Sequence, residues 1–548
     1  MTRTLPKRDP SSRGWLLLTL LGAVVVLGVL PRSSFGQATS SWVYYDKHGK
    51  LRYAADPAGN RIIDYSSAGY RGGGVSLPKI PVRATVAPSG GDDTAAIQSA
   101  IDTVAALPPD RKGFRGAVLL APGDYNVSAT LILNASGVVL RGSGSGPQDS
   151  VIKQGSVLNM TGSPFTLLAV GGSGDYARGT PVSILDTYIP SGARSFKVSD
   201  ASGFKAGDDI LVIRPVTEAW VAFMDMDELV RNGQPQTWLA PGTEILTDRR
   251  VAAVWGNRLI LDVPLTDSYD GQYLNPPGAS VATYTFDGRI SQVGIEHFSV
   301  VAPPQHTSPH YQAVQMNNVL NGWVRDLSIQ DTQNTFQLTN TTKQVTLDSI
   351  RVVHTYRQPN SGAPADFALS GTQLLANDCS VTGQGNTWPF VTHARVTGPI
   401  VILKAFADDR GYAPHQRWAT GLLCDLCEFP NTYRGDKTGV AYSNRGYFGS
   451  GHGWDAGFSV AWNATSTYFL IQEPPGAHNW CIGCVGTVHS DDAPGGDGTI
   501  LPNGIYESLG THVTPGSLYL AQLEQRLGKR ALRNIGYADT DGTPLPAK

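Results

Sequence analysis

Residues 91–144 read GDDTAAIQSAIDTVAALPPDRKGFRGAVLLAPGDYNVSATLILNASGVVLRGSG, and this tract indicates the fold more clearly than any other. In its first part Ile97, Ile101 and Val104 recur at intervals of four and three residues, which predicts an amphipathic helix. Either of the two aspartates before Thr94 can cap this helix, because a carboxylate oxygen accepts hydrogen bonds from the first unpaired backbone N–H groups. The stretch is therefore predicted to open with a short helix that has one apolar face.

Short apolar runs follow this helix and predict strands. They occupy 117–121, 131–133 and 138–142, and turns containing Pro-Gly, Asn or Gly separate them. The passage resembles the beginning of a pectate-lyase-like right-handed parallel β-helix. In that family a short amphipathic helix covers the N-terminal end of the solenoid, where an uncovered coil would expose apolar side chains and unpaired strand edges. The resemblance implies the fold and says little about the substrate.

The composition of the 548-residue chain is that of a globular protein rich in turns. Hydrophobic residues make up 41%, and the 62 glycines and 36 prolines favour many short strands. The formal net charge is only −2, so no nucleic-acid partner is expected. The length is compatible with one long repetitive architecture.

The N-terminus has the pattern of an export signal. Basic residues between positions 3 and 13 precede an apolar run at 15–30, and Pro31 ends that run. The small residues Ser34 and Gly36 predict cleavage before Gln37. An uncleaved membrane anchor is the alternative, although the apolar run is slightly short for a span. We therefore expect a secreted or periplasmic protein with no stable membrane insertion once the signal is cleaved.

The predicted fold class is all-β: a right-handed parallel β-helix solenoid with an N-terminal capping helix, a β-rich insertion and a C-terminal helix. The predicted segments are a signal peptide (1–36), an N-terminal hairpin and irregular segment (37–90), the β-helix start with its capping helix (91–180), the insertion (181–290), β-helix coils with an active-site cleft (291–512), and a C-terminal helix and tail (513–548).

The insertion is predicted from a break in the rhythm of short strands. Longer alternating runs at 195–198, 208–213 and 258–263 suggest antiparallel strands, and 224–231 suggests a short helix. The insertion could form one wall of a cleft.

A degenerate repeat begins near residue 290. An acidic residue precedes a short alternating strand at Glu296, Asp326, Asp348, Asp378 and Asp425. The first three intervals suit one solenoid coil each, and the last leaves room for a coil with a long loop. A β-sandwich has strands of similar length, but the constant phase of acid and strand favours stacked coils.

The cysteines allow two interpretations. Cys424 and Cys427, like Cys481 and Cys484, have the spacing of a zinc half-site, and Cys379 is left over. On a strand, residues three apart point to opposite faces, so one cysteine of each pair would face inward. Structural thiols or a disulfide between neighbouring coils are therefore favoured over zinc, and export favours the disulfide.

Residues 392–425, THARVTGPIVILKAFADDRGYAPHQRWATGLLCD, concentrate polar and charged side chains in a chain of which only 16% is charged. The tract HQRWATGLLCD (415–425), with GSGHGWDAGFSVAWN (449–463) and QEPPGAHNWCIGC (472–484), resembles exported bacterial pectate-lyase-like proteins. That resemblance covers most of the chain after the signal and implies a β-helix with a carbohydrate-active role. The acidic calcium-binding pattern of true pectate lyases is not evident, which argues against pectate as the substrate.

The residue types in this tract suit the eliminative cleavage of a uronate. That reaction needs a cation to neutralise the carboxylate, a base for the C5 proton and an acid for the leaving oxygen. Histidine carries protons near neutral pH, arginine can bind a carboxylate through two hydrogen bonds, and aromatic rings can stack on sugars. The predicted catalytic residues are His415, Arg417, His393, Arg410 and His452, and the predicted substrate-binding residues are Lys404, Asp409, Trp418, Trp454 and Tyr412.

The leading hypothesis is thus an exported polysaccharide lyase with a polysaccharide substrate. His415 or His393 would be the base, Arg417 and Arg410 would neutralise the carboxylate, and His452 would be the acid. One alternative is an inverting glycoside hydrolase that uses Asp409 with Asp455 or Asp492. Another is a non-catalytic glycan-binding or surface solenoid. No cofactor is certain, although Asp491, Asp492 and Asp497 could hold Ca²⁺.

Overall fold

The structure is a computed structural model that describes residues 38–146, 155–305, 309–357, 365–384, 386–431 and 439–546. The predicted export signal lies outside these residues. Among the helices in the described ranges, none is long and apolar enough to cross a membrane.

The chain winds into a parallel β-helix whose coils contribute strands to three parallel sheets, named A, B and C here. Sheet A contains Val82–Val86, Gly116–Leu120, Val138–Arg141, the first halves of Gly294–Val301, Val319–Gln330 and Lys343–His354, then Leu374–Asn377, Val396–Leu403, Ala419–Asp425, Ala456–Gly457, Ser459–Trp462, Asn479–Ile482 and Ile505–Glu507. Sheet B contains Gly123–Val127, Ser156–Met160, the second halves of the same three long strands, Ser380–Gly383, Phe406–Ala407, Glu428–Phe429, the start of Thr465–Ile471, and Val485–Val488. Sheet C contains Leu131–Leu133, Thr166–Gly171, Gln312–Asn317, Phe336–Leu338, Ala365–Leu369 and Trp388–Val391. Val440–Tyr442 pairs with the end of Thr465–Ile471.

Smaller elements surround the coils. The helices are α1 (Thr94–Ala105), α2 (Glu218–Phe223), α3 (Gly271–Leu274), α4 (Phe448–Gly451), α5 (Leu518–Leu527) and α6 (Lys529–Asn534), with a short 3₁₀ segment at Tyr70–Gly72. The minor strands are Ala38–Thr39 paired with Val513–Thr514, Val43–Tyr45 paired with Leu51–Tyr53, and Ile290–Ser291 beside Val319–Gln330. The predicted hairpin near residue 48 is thus present.

Helix α1 packs on the first coils. Its apolar stripe of Ile97, Ile101 and Val104 is fully buried in the solenoid core. Asp92 accepts a hydrogen bond from the Thr94 backbone N–H at 3.0 Å, whereas Asp93 accepts one from Ser89 at 2.8 Å. The helix therefore covers apolar surface that the first coil would otherwise expose.

A left-handed residue turns each coil from sheet A into sheet B. Leu426 (φ 54°) lies between Cys424 and Cys427, and Gly483 (φ 67°) lies between Cys481 and Cys484. The bend brings both cysteines of each pair into the solenoid core. The expectation that one cysteine of each pair faces outward was wrong, since it assumed a straight strand. Cys481 and Cys484 form a disulfide within one coil rather than between coils.

The thiols of Cys379, Cys424 and Cys427 are free and buried. Burial raises the pKa of the Cys379 thiol, which further suppresses its reactivity. We predict that a thiol reagent will modify none of the three in the folded protein and all three after denaturation without reductant. Five reactive thiols under these conditions would contradict the disulfide.

The acidic residues of the repeat lie near the corner between sheets A and B, but they occupy two different positions of the coil that are one residue apart. In register, Glu296 pairs with Arg325, Arg325 with Asp348, and Asp348 with Asn377. Asp326 and Asp378 lie one residue later, at the left-handed corner. The long final interval contains a further complete strand, Val396–Leu403, rather than only a loop.

The insertion leaves the solenoid after the sheet C strand Thr166–Gly171 and returns before the sheet A strand Gly294–Val301. Its antiparallel sheet contains Ala177–Arg178, Val182–Ser183, Ser195–Lys197, Asp209–Pro215, Glu244–Trp255, Arg258–Leu261 and Ser280–Thr285, and two further pairs join Tyr188–Ile189 to Tyr269–Asp270 and Val230–Arg231 to Gln234–Pro235. The helix predicted at 224–231 was misplaced. It is α2, where Thr217 caps the first turn by accepting from the Trp220 N–H at 3.0 Å.

Helix α5 packs along the side of sheet A. Leu518, Leu520 and Leu523 of this helix share a core with Leu403, Leu423 and Val460. Asp425 of sheet A accepts hydrogen bonds from the Ser517 hydroxyl at 2.7 Å and from the Tyr519 N–H at 2.8 Å. Burial raises the pKa of Asp425 to about 7, while these hydrogen bonds act in the opposite direction. The C-terminal helix is thereby attached to the coil that follows Val396–Leu403.

Candidate active site

Three histidines lie at the corner where the chain passes from sheet C to sheet A, one on each of three consecutive coils. We call His393, His415 and His452 the histidine row. The ring centroids of His393 and His415 are 5.8 Å apart, and those of His415 and His452 are 4.7 Å apart. Stacking of the coils sets this spacing, since the His415 N–H donates to the Thr392 carbonyl and the Arg417 N–H donates to the His452 carbonyl, each at 2.9 Å.

Besides burial, positive charges lower the pKa values of His415 and His452. Burial, followed by the charges of Arg445, His452, His393 and Arg417, lowers the pKa of His415 to about 3. Burial, then Arg445, Arg417 and Arg231, lowers the pKa of His452 to about 4. Burial also lowers the pKa of His393. At neutral pH the row therefore consists of neutral imidazoles in cationic surroundings, an arrangement that an anion would stabilise.

Arg445, which the sequence analysis did not single out, is the cation that contributes most to these shifts. Its Nη1 donates to the His415 carbonyl at 2.6 Å, and its guanidinium lies 5.9 Å from the Trp388 ring centroid. Asp455 is fully buried, and burial raises its pKa to about 8. Asp455 is therefore largely protonated at neutral pH and offsets little of the arginine's charge.

Arg417 lies beside the row but is occupied by structural contacts. Its Nε donates to the Trp238 carbonyl at 2.6 Å, and its Nη2 donates to the Ser450 carbonyl at 2.7 Å and hydroxyl at 2.8 Å. Its Nη1 donates to Gln416 Oε1 at 2.6 Å. Few N–H groups remain for a substrate, so Arg417 ties the insertion to the coils, and its predicted role as a carboxylate clamp needs correction.

Arg410 is buried and stacks on an aromatic ring. Its guanidinium lies 4.4 Å from the Trp388 ring centroid, and its Nη1 donates to the Thr387 carbonyl at 3.5 Å. Trp388 thus lies near two arginines, Arg410 and Arg445. Since Arg410 is enclosed, a direct contact with a polymeric substrate is not expected.

Two predicted substrate-binding residues occupy other corners of the coil. Lys404 is the left-handed residue between sheets A and B, and its Nζ donates to the Gly542 carbonyl at 2.9 Å. Asp409 is buried beside Asp408, whose pKa is raised by burial first and by the Asp409 charge among other causes. Neither residue lies at the corner that carries the histidine row. Lys404 directly follows a strand of sheet A, and Asp409 lies between the sheet B strand Phe406–Ala407 and Tyr412, which pairs with Phe390 of sheet C.

The three aromatic residues that were predicted to contact the substrate are buried. Tyr412 pairs with Phe390 in a bridge that continues an interior ladder of stacked rings, and it is fully buried. It therefore cannot stack on a sugar. Trp418 and Trp454 are each only 2% exposed. The indole of Trp418 donates to Asp267 at 2.8 Å, and that of Trp454 donates to the Met224 carbonyl at 3.1 Å, so both secure the insertion.

The insertion forms one wall beside the row. A cavity of about 490 Å³ lies between the strand Glu244–Trp255 and the coils, and His393, Arg395 and Gln416 contribute to its lining. His393 Nε2 lies 3.4 Å from Gln337 Oε1 on the preceding coils. The insertion leaves the solenoid at the corner between sheets C and A, where the histidines also lie. The cleft therefore follows from the topology of the fold, which the sequence pattern did not reveal.

The carboxylates proposed for a hydrolase or for calcium are not assembled. Asp455 is buried and accepts from the Ser443 N–H at 2.8 Å. Asp492 pairs with Ile500 in an exposed turn. Within the described ranges, which include all five cysteines and Asp491, Asp492 and Asp497, no group of three or more His, Cys, Asp or Glu side chains is arranged to hold a metal ion.

No protein-family model and no curated protein matches the chain. Among solved structures, it is similar to the tailspike protein gp49 from Pseudomonas phage LKA1, with 12% identity over 77% of this chain and 70% of the tailspike and a TM-score of 0.37. It is also similar to PfbA, a surface adhesin of Streptococcus pneumoniae (11% identity, 75% and 80% covered, TM-score 0.40). The A-module of the Azotobacter vinelandii mannuronan C-5 epimerase AlgE6 is a third such structure (11%, 78% and 96%, TM-score 0.33). These distant likenesses assign no role, and membership of the pectate-lyase-like superfamily stays a prediction.

Proposed function

We propose that the protein is an exported enzyme that binds a uronate-containing polysaccharide at the histidine row and cleaves it by β-elimination. The observation that carries the proposal is a row of three imidazoles on consecutive coils in which positive charges, those of Arg445, Arg417 and Arg231, act on His415 and His452. A site of this kind favours an anionic ligand, and imidazoles transfer protons.

The histidine row and Arg445 can provide the proton transfers and the charge stabilisation that the elimination needs. A neutral His415 accepts the C5 proton, the electrons of that C–H bond form the C4–C5 double bond, and the C4–O bond breaks. Arg445 lies against His415 and would stabilise the negative charge that develops on the uronate carboxylate. A bound carboxylate raises the pKa of the neighbouring imidazoles, because an opposite charge favours the imidazolium. The proton that His415 has taken then passes to the leaving oxygen, either directly or through the neighbouring ring of His452 or His393.

A glycoside hydrolase is less well supported by the same geometry. An inverting hydrolase needs two carboxyl groups that flank a sugar and leave room for a water. Asp455 is enclosed and bonded to Ser443, and Asp492 lies in an exposed turn. In the histidine row, in contrast, the centroids of consecutive rings lie within 5.8 Å of each other.

Incubation with uronic and neutral polysaccharides tests the proposal. New ultraviolet absorbance of an unsaturated uronate, together with new chain ends, is expected for at least one uronic polymer. Reducing ends without that absorbance would instead indicate hydrolysis. Retained binding without any product would indicate a glycan-binding solenoid.

The pH profile of kcat/KM is predicted to have an acid limb far below the usual range of histidine. The base is active when neutral, and the pKa of His415 lies at about 3 in the free protein. Activity should therefore be nearly level between about pH 5 and 7, whereas an unperturbed histidine of pKa about 6.5 would lose activity there. Arg445→Gln should move the limb upward, since it removes a positive charge, besides lowering kcat/KM. A wild-type limb near pH 6.5 would show that the base titrates like an unperturbed histidine and would contradict the cationic surroundings assigned to His415.

A further inference from the structure

A second cavity, of about 540 Å³, lies between the insertion, the later coils and the N-terminal segment. We call it the insertion cavity. Its walls include Trp220 and Phe223 of α2, Tyr273 of α3, and the buried indoles of Trp418 and Trp454. Its volume is in the range of small-molecule sites. The histidine row is not among its lining residues.

Aromatic faces form one part of the cavity. Phe223 stacks on Tyr273 with ring centroids 3.9 Å apart, and the Arg214 guanidinium lies 3.9 Å from the Trp220 ring centroid. Such rings can bind the apolar face of a sugar, and they attract a cation through their quadrupole.

A carboxylate–histidine–carboxylate chain forms another part. His478 Nδ1 lies 2.6 Å from Glu473 Oε1, and its Nε2 lies 2.9 Å from Asp56 Oδ2. Burial alone would lower the pKa of His478, but the hydrogen bonds and charges of Glu473 and Asp56 outweigh it and raise the pKa. The second oxygen of Glu473, Oε2, is buried and has no hydrogen-bond partner among the described residues. The cavity therefore contains an acceptor that the protein leaves unsatisfied, at a cost that a ligand donor would relieve.

Carboxyl groups outnumber basic groups among the residues that line the cavity. Asp267 is buried and accepts from Trp418 at 2.8 Å, with Arg214 Nε at 3.5 Å. Arg214 is 3% exposed, and its Nη1 has no hydrogen-bond partner within the described part of the chain. Asp225 and Asp270 also line the cavity. Five carboxyl groups thus face the two basic groups Arg214 and His478, so the cavity disfavours a uronate and favours a cation.

We propose that the insertion cavity is a separate binding site for a hexosamine with a free, protonated amino group. The ammonium donates to Glu473 Oε2 and is attracted by the surrounding carboxylates, while the sugar ring packs on Phe223 and Tyr273, the two half-buried rings of the wall. The ring hydroxyls offer an acceptor to Arg214 Nη1. The site is independent of the histidine row and of the reaction proposed there.

Tryptophan fluorescence and calorimetric titration can test this site, because Trp220, Trp418 and Trp454 line it. Glucosamine at mildly acidic pH is expected to bind and to change the fluorescence. N-acetylglucosamine, which lacks the charge, and glucuronate, which reverses it, should bind at least about tenfold more weakly. Butylammonium, which has the charge without the sugar ring, should also bind more weakly. Equal affinity for N-acetylglucosamine, equal affinity for butylammonium, or no binding of glucosamine would overturn the proposal.

Variants locate the binding and separate it from the histidine row. Asp270→Asn and Glu473→Gln should each weaken glucosamine binding about fivefold or more. Glu428→Gln, an exposed carboxylate on sheet B, is the matched control and should leave the affinity unchanged. His415→Ala should also leave it unchanged. Thermal unfolding shows whether each variant folds; if Asp270→Asn and Glu473→Gln fold and bind glucosamine like the wild type, the assignment of the amine to this cavity is wrong.

Discussion

His415→Ala is expected to lower kcat by about 100-fold to 10,000-fold on a uronate polysaccharide, the range that a general base contributes. His415 is the middle residue of the histidine row, and its ring lies against both neighbouring rings at 5.8 and 4.7 Å. Removal of this ring therefore deletes the proposed base and leaves His393 and His452 without the ring that lies between them. The change should affect kcat more than KM, because Arg445 and the other cations that attract the carboxylate remain.

Steady-state kinetics by ultraviolet absorbance, with circular dichroism and thermal unfolding for each variant, measures this effect. His48→Ala is the matched control, since His48 lies exposed in the turn between Val43–Tyr45 and Leu51–Tyr53. It should retain wild-type activity. A folded His415→Ala variant with full activity would remove the histidine row from the mechanism.

The elements of the fold that depend on local sequence patterns could be predicted from the sequence. The apolar stripe Ile97–Ile101–Val104 of α1 and the hairpin around His48 depend on near neighbours, and the structure has both elements. The acidic repeat located the corner between sheets A and B, but its phase slipped by one residue at Asp326 and Asp378. Left-handed residues at this corner change which side chain faces inward, and a strand pattern alone does not contain that turn.

The candidate site was only partly accessible for the same reason. The three histidines were predicted to share one site, although the interval that contains His393 and His415 was interpreted as one long coil, and the strand Val396–Leu403 in fact puts each on its own coil. Arg445 was missed, since its neighbours Asn444 and Gly446 give no chemical signal and its proximity to His415 depends on stacking. The roles proposed for Arg417, Trp418 and Tyr412 failed because burial decides which polar or aromatic groups a substrate can reach. Contacts with an insertion far away in the sequence determine that burial.

Arg249→Met is expected to reduce the free energy of unfolding by about 3–5 kcal/mol, the largest stability effect we predict for one side chain. Arg249 is fully buried in the insertion strand Glu244–Trp255. Its guanidinium donates to the Pro264 carbonyl at 3.1 and 3.0 Å within the insertion, and to the Gly398 carbonyl at 2.9 Å on the coils. Methionine fills a similar volume but leaves the buried Pro264 carbonyl without these donors, and the Gly398 carbonyl keeps only its hydrogen bond from the Thr372 hydroxyl at 2.8 Å.

The neighbouring residue offers a control on the same strand. Arg250 is exposed and donates to the Gly207 carbonyl at 2.8 Å, so Arg250→Met should change stability by less than about 1 kcal/mol. Thermal unfolding at one fixed scan rate and denaturant unfolding would compare the two variants, since a solenoid of this size can unfold irreversibly. Equal midpoints for Arg249→Met and Arg250→Met would contradict a structural role for the buried guanidinium.

A second readout links this arginine to function. The insertion strand that carries Arg249 also forms the wall of the cleft beside His393. If Arg249 holds this wall against the coils, Arg249→Met should raise KM for the polysaccharide at temperatures where the variant is still folded. Arg249→Lys should be intermediate in stability and in KM, because an ammonium keeps the charge but cannot reach Pro264 and Gly398 in the same planar geometry. A variant that loses stability with an unchanged KM would show that the wall keeps its place without this contact.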